Sequence, residues 1–258
     1  MVLDYWIFND IHFPYEDKQR YAIALQIMQK FHELKGNKPA GIYLNGDIGE
    51  FAPFSSWPKD PDLFTGQAEI AYINKKFDEL SELFPATPVT LIEGNHCYRF
   101  FRYIRDNAPA LAGLINIPQL LRLKDRGWGW VPYGPDQLCQ CGASNLYLRH
   151  EPIGGGVNSA KGTAESVYVD TAFGHSHTWQ YHSHRKFGPS PYVVRAYSLG
   201  WLGDKTRSVF DYRGSRERWV EGFTHVECDS ETGHYTLDFI DLRWMPVLYR
   251  GEIYSARR

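Results

Sequence analysis

Tyr5-Trp6-Ile7-Phe8 runs without a break into Asn9-Asp10-Ile11-His12: an apolar strand ends in an acid and an imidazole two residues apart. The same grammar returns twice. Ile42-Tyr43-Leu44 leads into Asn45-Gly46-Asp47, and Val89-Thr90-Leu91-Ile92 into Glu93-Gly94-Asn95-His96. Helical patterns lie between. Tyr21, Leu25, Met28 and Phe31 share a face and stop at Gly36 and Pro39; Ile70, Ile73, Phe77, Leu80 and Phe84 share another. The spacing predicts βαβαβ, a largely parallel sheet covered by helices.

The second half reads differently. Leu146-Tyr147-Leu148 ends at Arg149-His150. Val167-Tyr168-Val169 with Thr171-Ala172-Phe173 ends at Gly174-His175-Ser176-His177. Further short strands at Tyr192-Val193-Val194, Phe223 to Val226 and Tyr235 to Phe239 alternate with turns such as Thr232-Gly233. No helical pattern separates them, so antiparallel pairing is expected. Two mixed sheets with helices outside accommodate both halves. No repeat or linker divides residues 1–258, which read as a single domain.

The composition excludes several classes. With 43% apolar and 22% charged residues over 258 positions, the chain can bury a sizeable core. Twenty-eight basic against 30 acidic side chains leave a net charge of −2, which gives no global pull towards nucleic acid or an acidic membrane. Apolar runs are too short for a membrane span. The opening Met1 to Trp6 lacks a basic leader region, so a cytoplasmic location is expected. Cys97, Cys139, Cys141 and Cys228 form no CxxC pair and read as reduced thiols.

Each polar cluster follows the carboxyl end of a strand, where open α/β sheets bind their ligands. Five ends would direct Asp10/His12, Asp47, Asn95/His96, His150 and His175/His177 at one crevice. Such mixed oxygen and nitrogen donors suit Mn²⁺ first, with Fe or Zn²⁺ also suited. The donors outnumber the needs of one ion; two divalent ions about 3.5–4 Å apart, bridged by a carboxylate, would use them all. In an extended segment, the i and i+2 side chains of DxH and HxH converge on one side.

The order Asp10-x-His12, Gly46-Asp47, Gly94-Asn95-His96, His150 and Gly174-His175-x-His177 resembles the calcineurin-like metallophosphoesterases, over residues 4–180. Three further features resemble the phage and prophage branch of that family. They are Asn9-Asp10-Ile11-His12-Phe13-Pro14, the arginine-rich run after His96, and Trp219 to Phe223. The resemblance implies a four-layer αββα sandwich. It implies one metal held by Asp10, His12, Asp47 and His177, and another by Asp47, Asn95, His150 and His175, with Asp47 bridging. His96 would bind no metal and would act on the substrate as general acid or phosphate contact. The chain departs from the family pattern at Cys97, where an acid usually follows Gly-Asn-His, and at Glu50, where Asp is common. Glu50 is the candidate partner for His96, and a carboxylate there would raise the imidazole pKa.

Other features carry bland and sharp readings side by side. Arg99, Arg102 and Arg105 would share a helix face, as a solvated surface or as a phosphate clamp led by Arg99. Phe51, Phe54 and Trp57 would cover the core or wall a pocket and stack a base. Gly154-Gly155-Gly156 near Lys161 lacks the P-loop spacing and reads as a mobile loop. His32, His182, His184, His225 and His234 read as structural. An amidohydrolase would place HxH after the first strand, where this chain has Asp10-x-His12.

The reading is a dinuclear metal-dependent phosphoesterase in which hydroxide bridging the ions attacks phosphorus in line. His96, Glu50 and Arg99 are the catalytic candidates. The expected substrate is a phosphodiester in a nucleotide or single-stranded nucleic-acid end. A phosphomonoester or phosphoprotein is the alternative substrate, and a metal-binding scaffold without turnover the alternative class. No membrane and no obligate protein partner is implied.

Overall fold

The computed structural model describes residues 1–56, 64–210 and 216–255. In chain order the first half gives β1 (Val2–Asn9), α1 (Lys18–Lys35), β2 (Gly41–Gly46), α2 (Gly66–Leu83), β3 (Val89–Glu93), α3 (Asn95–Asn107), α4 (Ile117–Leu120) and β4 (Gly129–Val131). The second half gives β5 (Cys139–Gln140), β6 (Leu146–Arg149), α5 (Ser159–Ser166), β7 (Asp170–Phe173), β8 (Trp179–Lys186), β9 (Tyr192–Leu199), β10 (Gly222–Asp229) and β11 (Tyr235–Asp241). A small hairpin of β12 (Val247–Tyr249) and β13 (Glu252–Tyr254) follows.

Residue alternation along β1 sets the layers. Trp6 and Phe8 face a core shared with α1, α2 and α3; Tyr5 and Ile7 face a second core between two sheets. The first sheet has the order β11-β10-β1-β2-β3-β4, parallel from β1 to β4, with β10 and β11 added antiparallel. The second has the order β5-β6-β7-β9-β8. On its far side Ala160 and Ala164 of α5 pack on Phe173 and Ala196. The result is the expected αββα sandwich of two mixed sheets. Helix ends follow local chemistry: Asp17 accepts the Arg20 N–H at 3.0 Å and Gly36 closes α1 at φ 64°.

Two expectations for the second half fail. β6, β7 and β9 run parallel, and residues 167–169 are not strand. Between β6 and β7 the cause is α5, a crossover helix of sequence SAKGTAES, whereas β9 runs parallel to β7 because the chain first passes through the edge strand β8. α5 buries alanines and Thr163 instead of a large apolar stripe, so its helical period is faint in the sequence. Antiparallel pairing holds where hairpins form, at β8/β9 and β10/β11. Among the described residues no helix is long and apolar enough to cross a membrane.

His32 and His225 are structural, as expected. His32 accepts the Trp6 indole N–H at 2.8 Å, and His225 lies between Asp4 and the Tyr249 hydroxyl. Glu69, in the first turn of α2, is the less expected buried group. It accepts the Phe51 N–H at 2.5 Å, and burial, aided by the nearby Glu50 charge, pushes its carboxyl up to about 8. The folded chain therefore keeps a proton that the unfolded chain sheds near the ordinary carboxyl range. That stabilisation is complete at pH 4 and drains away as pH rises through about 8. Glu69→Gln keeps the acceptor and removes the titration. Melting curves should show the variant close to wild type at pH 5 and increasingly more stable towards pH 8, by at most about 1.4 kcal/mol per pH unit.

Candidate metal centre

The five polar clusters meet at one edge of the sandwich, because β1, β2 and β3 of one sheet and β6 and β7 of the other end there. The loops after β1 and β2 continue to pair beyond their strands: His12 N–H donates to the Asp47 carbonyl at 2.9 Å and Phe13 N–H to Ile48 at 2.9 Å. Asp10, His12, His175 and His177 have φ of 44°, 55°, 63° and 54°. Their segments are thus left-handed turns, not the extended pieces expected from the i, i+2 spacing. Convergence comes from the turns. Gly46 and Gly94 leave room for the donors: a Cβ at Gly46 would overlap the His150 ring and the Asp10 carboxylate, and one at Gly94 would overlap Asp47.

Two groups of ligand atoms result. In the first, His12 Nε2 lies 3.2 Å from His177 Nε2, which is 3.7 Å from Asp10 Oδ2. In the second, Asn95 Oδ1 lies 2.8 Å from His150 Nε2 and 2.9 Å from His175 Nδ1, and these nitrogens are 3.3 Å apart. Asp47 belongs to the second group by its carboxylate, and its backbone touches the first. Its Oδ2 is 3.4 Å from His150 Nε2, and its N–H donates to Asp10 Oδ1 at 3.1 Å. Atoms bound to one ion at about 2.1 Å sit roughly 3.0–3.4 Å from each other. The observed separations of 2.8–3.7 Å scatter about that edge length, and the donor set of imidazoles, carboxylates and one amide oxygen fits divalent cations.

Glu50 organises the ring tautomers. Its Oε2 accepts from His12 Nδ1 at 2.7 Å and from His96 Nδ1 at 2.9 Å, and its Oε1 accepts from Arg99 at 2.8 Å. With its hydrogen on Nδ1, His12 turns a bare Nε2 lone pair to the first group, the usual arrangement of a metal-ligating histidine. Burial opposes the charge on Glu50, but the facing imidazoles hold its carboxyl far below the usual range. The same balance holds Asp47 well below its ordinary value, with His150 the chief neighbour. Burial also works against a charged His150, yet Asp47 and Asp10 raise it to about 10.

Glu50 is the partner of His96, as the sequence suggested, and Cys97 points into the helix-side core. The expected rise in the His96 pKa is not found. Burial and the Arg99 guanidinium beside it outweigh the carboxylates and lower it. The hydrogen bonds agree. An arginine only donates, so the 2.7 Å contact from Arg99 to His96 Nε2 makes that nitrogen an acceptor.

Arg99 does not share a face with Arg102 and Arg105. It is 8% exposed and turned inward, with a second bond to the Glu50 carbonyl, whereas the other two face solvent and Arg105 pairs with Asp106. Phe51 is fully buried in the helix-side core and Phe54 packs on Phe100 and Tyr103, which favours core cover. Trp57 lies outside the described residues.

Sequence reasoning missed the supports. Asn45 Nδ2 donates to Asn9 Oδ1 and to the Arg149 carbonyl, and Asn9 Nδ2 to the Leu199 carbonyl. Both asparagines end apolar strands, a signal open to reading. Gln137 donates to the Glu93 carbonyl and accepts the His150 N–H at 2.8 Å, from a loop with no local cue. Trp201 stacks flat against His177, 4.7 Å between centroids and 13° between planes. A cleft of about 680 Å³ opens beside His175, walled by Glu151, the glycines at 154–156, Gln180 and Trp219.

No family model and no curated protein matches the sequence. Among solved structures, the chain is similar to Vps29 of Chaetomium thermophilum in complex with the RaPID-derived cyclic peptide RT-D3, at 9% identity and a TM-score of 0.42, with 100% of both chains covered. It is also similar to Chaetomium thermophilum Vps29 alone, at 10% identity and a TM-score of 0.38 over 93% of each chain. Likeness of this degree carries no argument about what the chain does.

Proposed function

We propose that the chain is a dinuclear metal-dependent phosphoesterase of the calcineurin-like type, from its phage-like branch, acting on a phosphodiester such as a nucleotide or nucleic-acid end. The observation that carries the reading is the convergence of seven donors from five strand ends at one edge of the sandwich, with neighbouring ligand atoms 2.8–3.7 Å apart. Asp10, His12, Asp47 and His177 would hold one ion; Asp47, Asn95, His150 and His175 the other. Divalent ions, Mn²⁺ first, would supply charge for the phosphoryl oxygens and an activated water.

The chain's own groups act around them. Glu50 fixes His12 for its ion and His96 for Arg99, so one carboxylate ties metal geometry to the substrate side. His96, neutral and accepting from Arg99, places that guanidinium where charge develops on the phosphate. The cleft beside His175 leaves room for a second ester group, which favours a diester over a monoester.

Elemental analysis of Mn²⁺-loaded protein should find two ions per chain, with hydrolysis of bis(p-nitrophenyl) phosphate exceeding that of p-nitrophenyl phosphate. A metal-free protein, or a metal-loaded one inert on both esters, defeats the reading. Asp47→Asn should lose both ions together, because a neutral amide bridges poorly. Glu50→Gln should keep both sites but weaken metal affinity about 10–100-fold, measured by competition with a chelator. His96→Ala should slow esters with good and poor leaving groups by a similar factor. A loss of about 10²–10⁴-fold confined to the poor leaving group would instead make His96 the general acid.

A further inference from the structure

The cleft of about 680 Å³ is much larger than a phosphate needs and falls in the range of sites for nucleoside-sized ligands. His175 is shared between the cleft and the second donor group, so a phosphate at the metal centre would have its ester group beside the cleft. Its floor is a chain of neutral polar groups. Ser159 Oγ donates to Gln180 Oε1 at 3.1 Å, and Gln180 Nε2 donates to Thr178 Oγ1 at 2.8 Å. The Gln180 amide keeps a second N–H, and the Glu151 carboxylate is an acceptor on the same cleft. Gln180 and Thr178 are partly exposed. Among the described residues one cation, Arg218, and one acid, Glu151, line the cleft, so their charges cancel. A second phosphate or an acidic peptide would meet no net positive charge from the side chains of the cleft itself. Hydroxyl groups would find both donors and acceptors.

We propose that this cleft is the specificity site of the enzyme and takes an uncharged, sugar-bearing ester group of nucleoside size. The proposal rests on the phosphoesterase reading. Gly155 is the residue that tests it. Its φ of −103° suits any L-residue, and a Cβ there would meet nothing within 4 Å, so a large side chain can fill the cleft without straining the loop. Val157, 65% exposed and also lining the cleft, offers a second position.

The experiment is calorimetric titration of the Mn²⁺-loaded protein with inorganic phosphate, ribose 5-phosphate and thymidine 5′-monophosphate. The two sugar phosphates should bind at least about tenfold more tightly than phosphate. A preference of thymidine monophosphate over ribose 5-phosphate assigns a nucleoside; equal binding assigns the sugar alone. Gly155→Trp should bring thymidine monophosphate to within about twofold of phosphate, and Val157→Trp serves if the first variant does not fold. Equal binding of all three ligands to the metal-loaded wild type, or an unchanged preference in the filled variants, overturns the cleft assignment and leaves the metal centre standing. Protein that takes up no metal overturns the reading beneath both.

Discussion

Two hydrogens on one amide, those of Asn45 Nδ2, hold the two sheets in a single register at the edge where the strands end. One goes to Asn9 beside it and one to the Arg149 carbonyl across the sandwich, while Asn9 reaches the Leu199 carbonyl. A buried amide left without a partner costs about 1–3 kcal/mol, so sliding one sheet over the other is opposed where it matters. Gln137 adds a second tie, from the Glu93 carbonyl to the His150 N–H. Donors from β1, β2 and β3 would otherwise have no fixed relation to those from β6 and β7. The hydrophobic cores set the layers, but they do not set the last ångström.

That last ångström is also costly in the backbone. Four non-glycine residues at the centre hold positive φ, at roughly 1–2 kcal/mol each. The sum is on the order of the net stability of a whole domain. It persists because the turns are bonded at both ends: His12 N–H to the Asp47 carbonyl, His175 N–H to Asp10 Oδ2 at 2.6 Å, and His96 N–H to Asp47 Oδ1 at 2.8 Å. Asp10 and Asp47 thus spend oxygens on backbone amides as well as facing the imidazoles. The same carboxylates that shape the loops define the donor groups.

Much of this was legible because strand ends are written in short strings. Apolar runs gave β1, β2, β3, β6 and most of β7, and the polar residues after them meet in space. The left-handed turns were not legible, since nothing in Asp-Ile-His or His-Ser-His departs from an ordinary extended segment. The role of Glu50 was half visible, by its offset from Asp47. That it serves His12 and His96 with one oxygen and Arg99 with the other depends on a fold-level meeting of three segments. Arg99 misled because its spacing to Arg102 and Arg105 suggested a common face, whereas an inward carboxylate decides where it turns. α5 escaped because alanine and threonine packing leaves little periodic trace.

β8 ends the second sheet, and its alternation carries a different consequence. Its first half is closed off by Trp179, which stacks on Phe239 of β11 at 4.4 Å with 10° between the rings, sealing the seam between the sheets. Its second half, His184-Arg185-Lys186, is a free sheet edge among the described residues and carries the cations Arg185 and Lys186. A like strand docking there antiparallel would bring the same charges into apposition. An open strand margin is a template for fibril growth in principle; here one ring pair and a basic tip keep the sheet from being extended by its own kind.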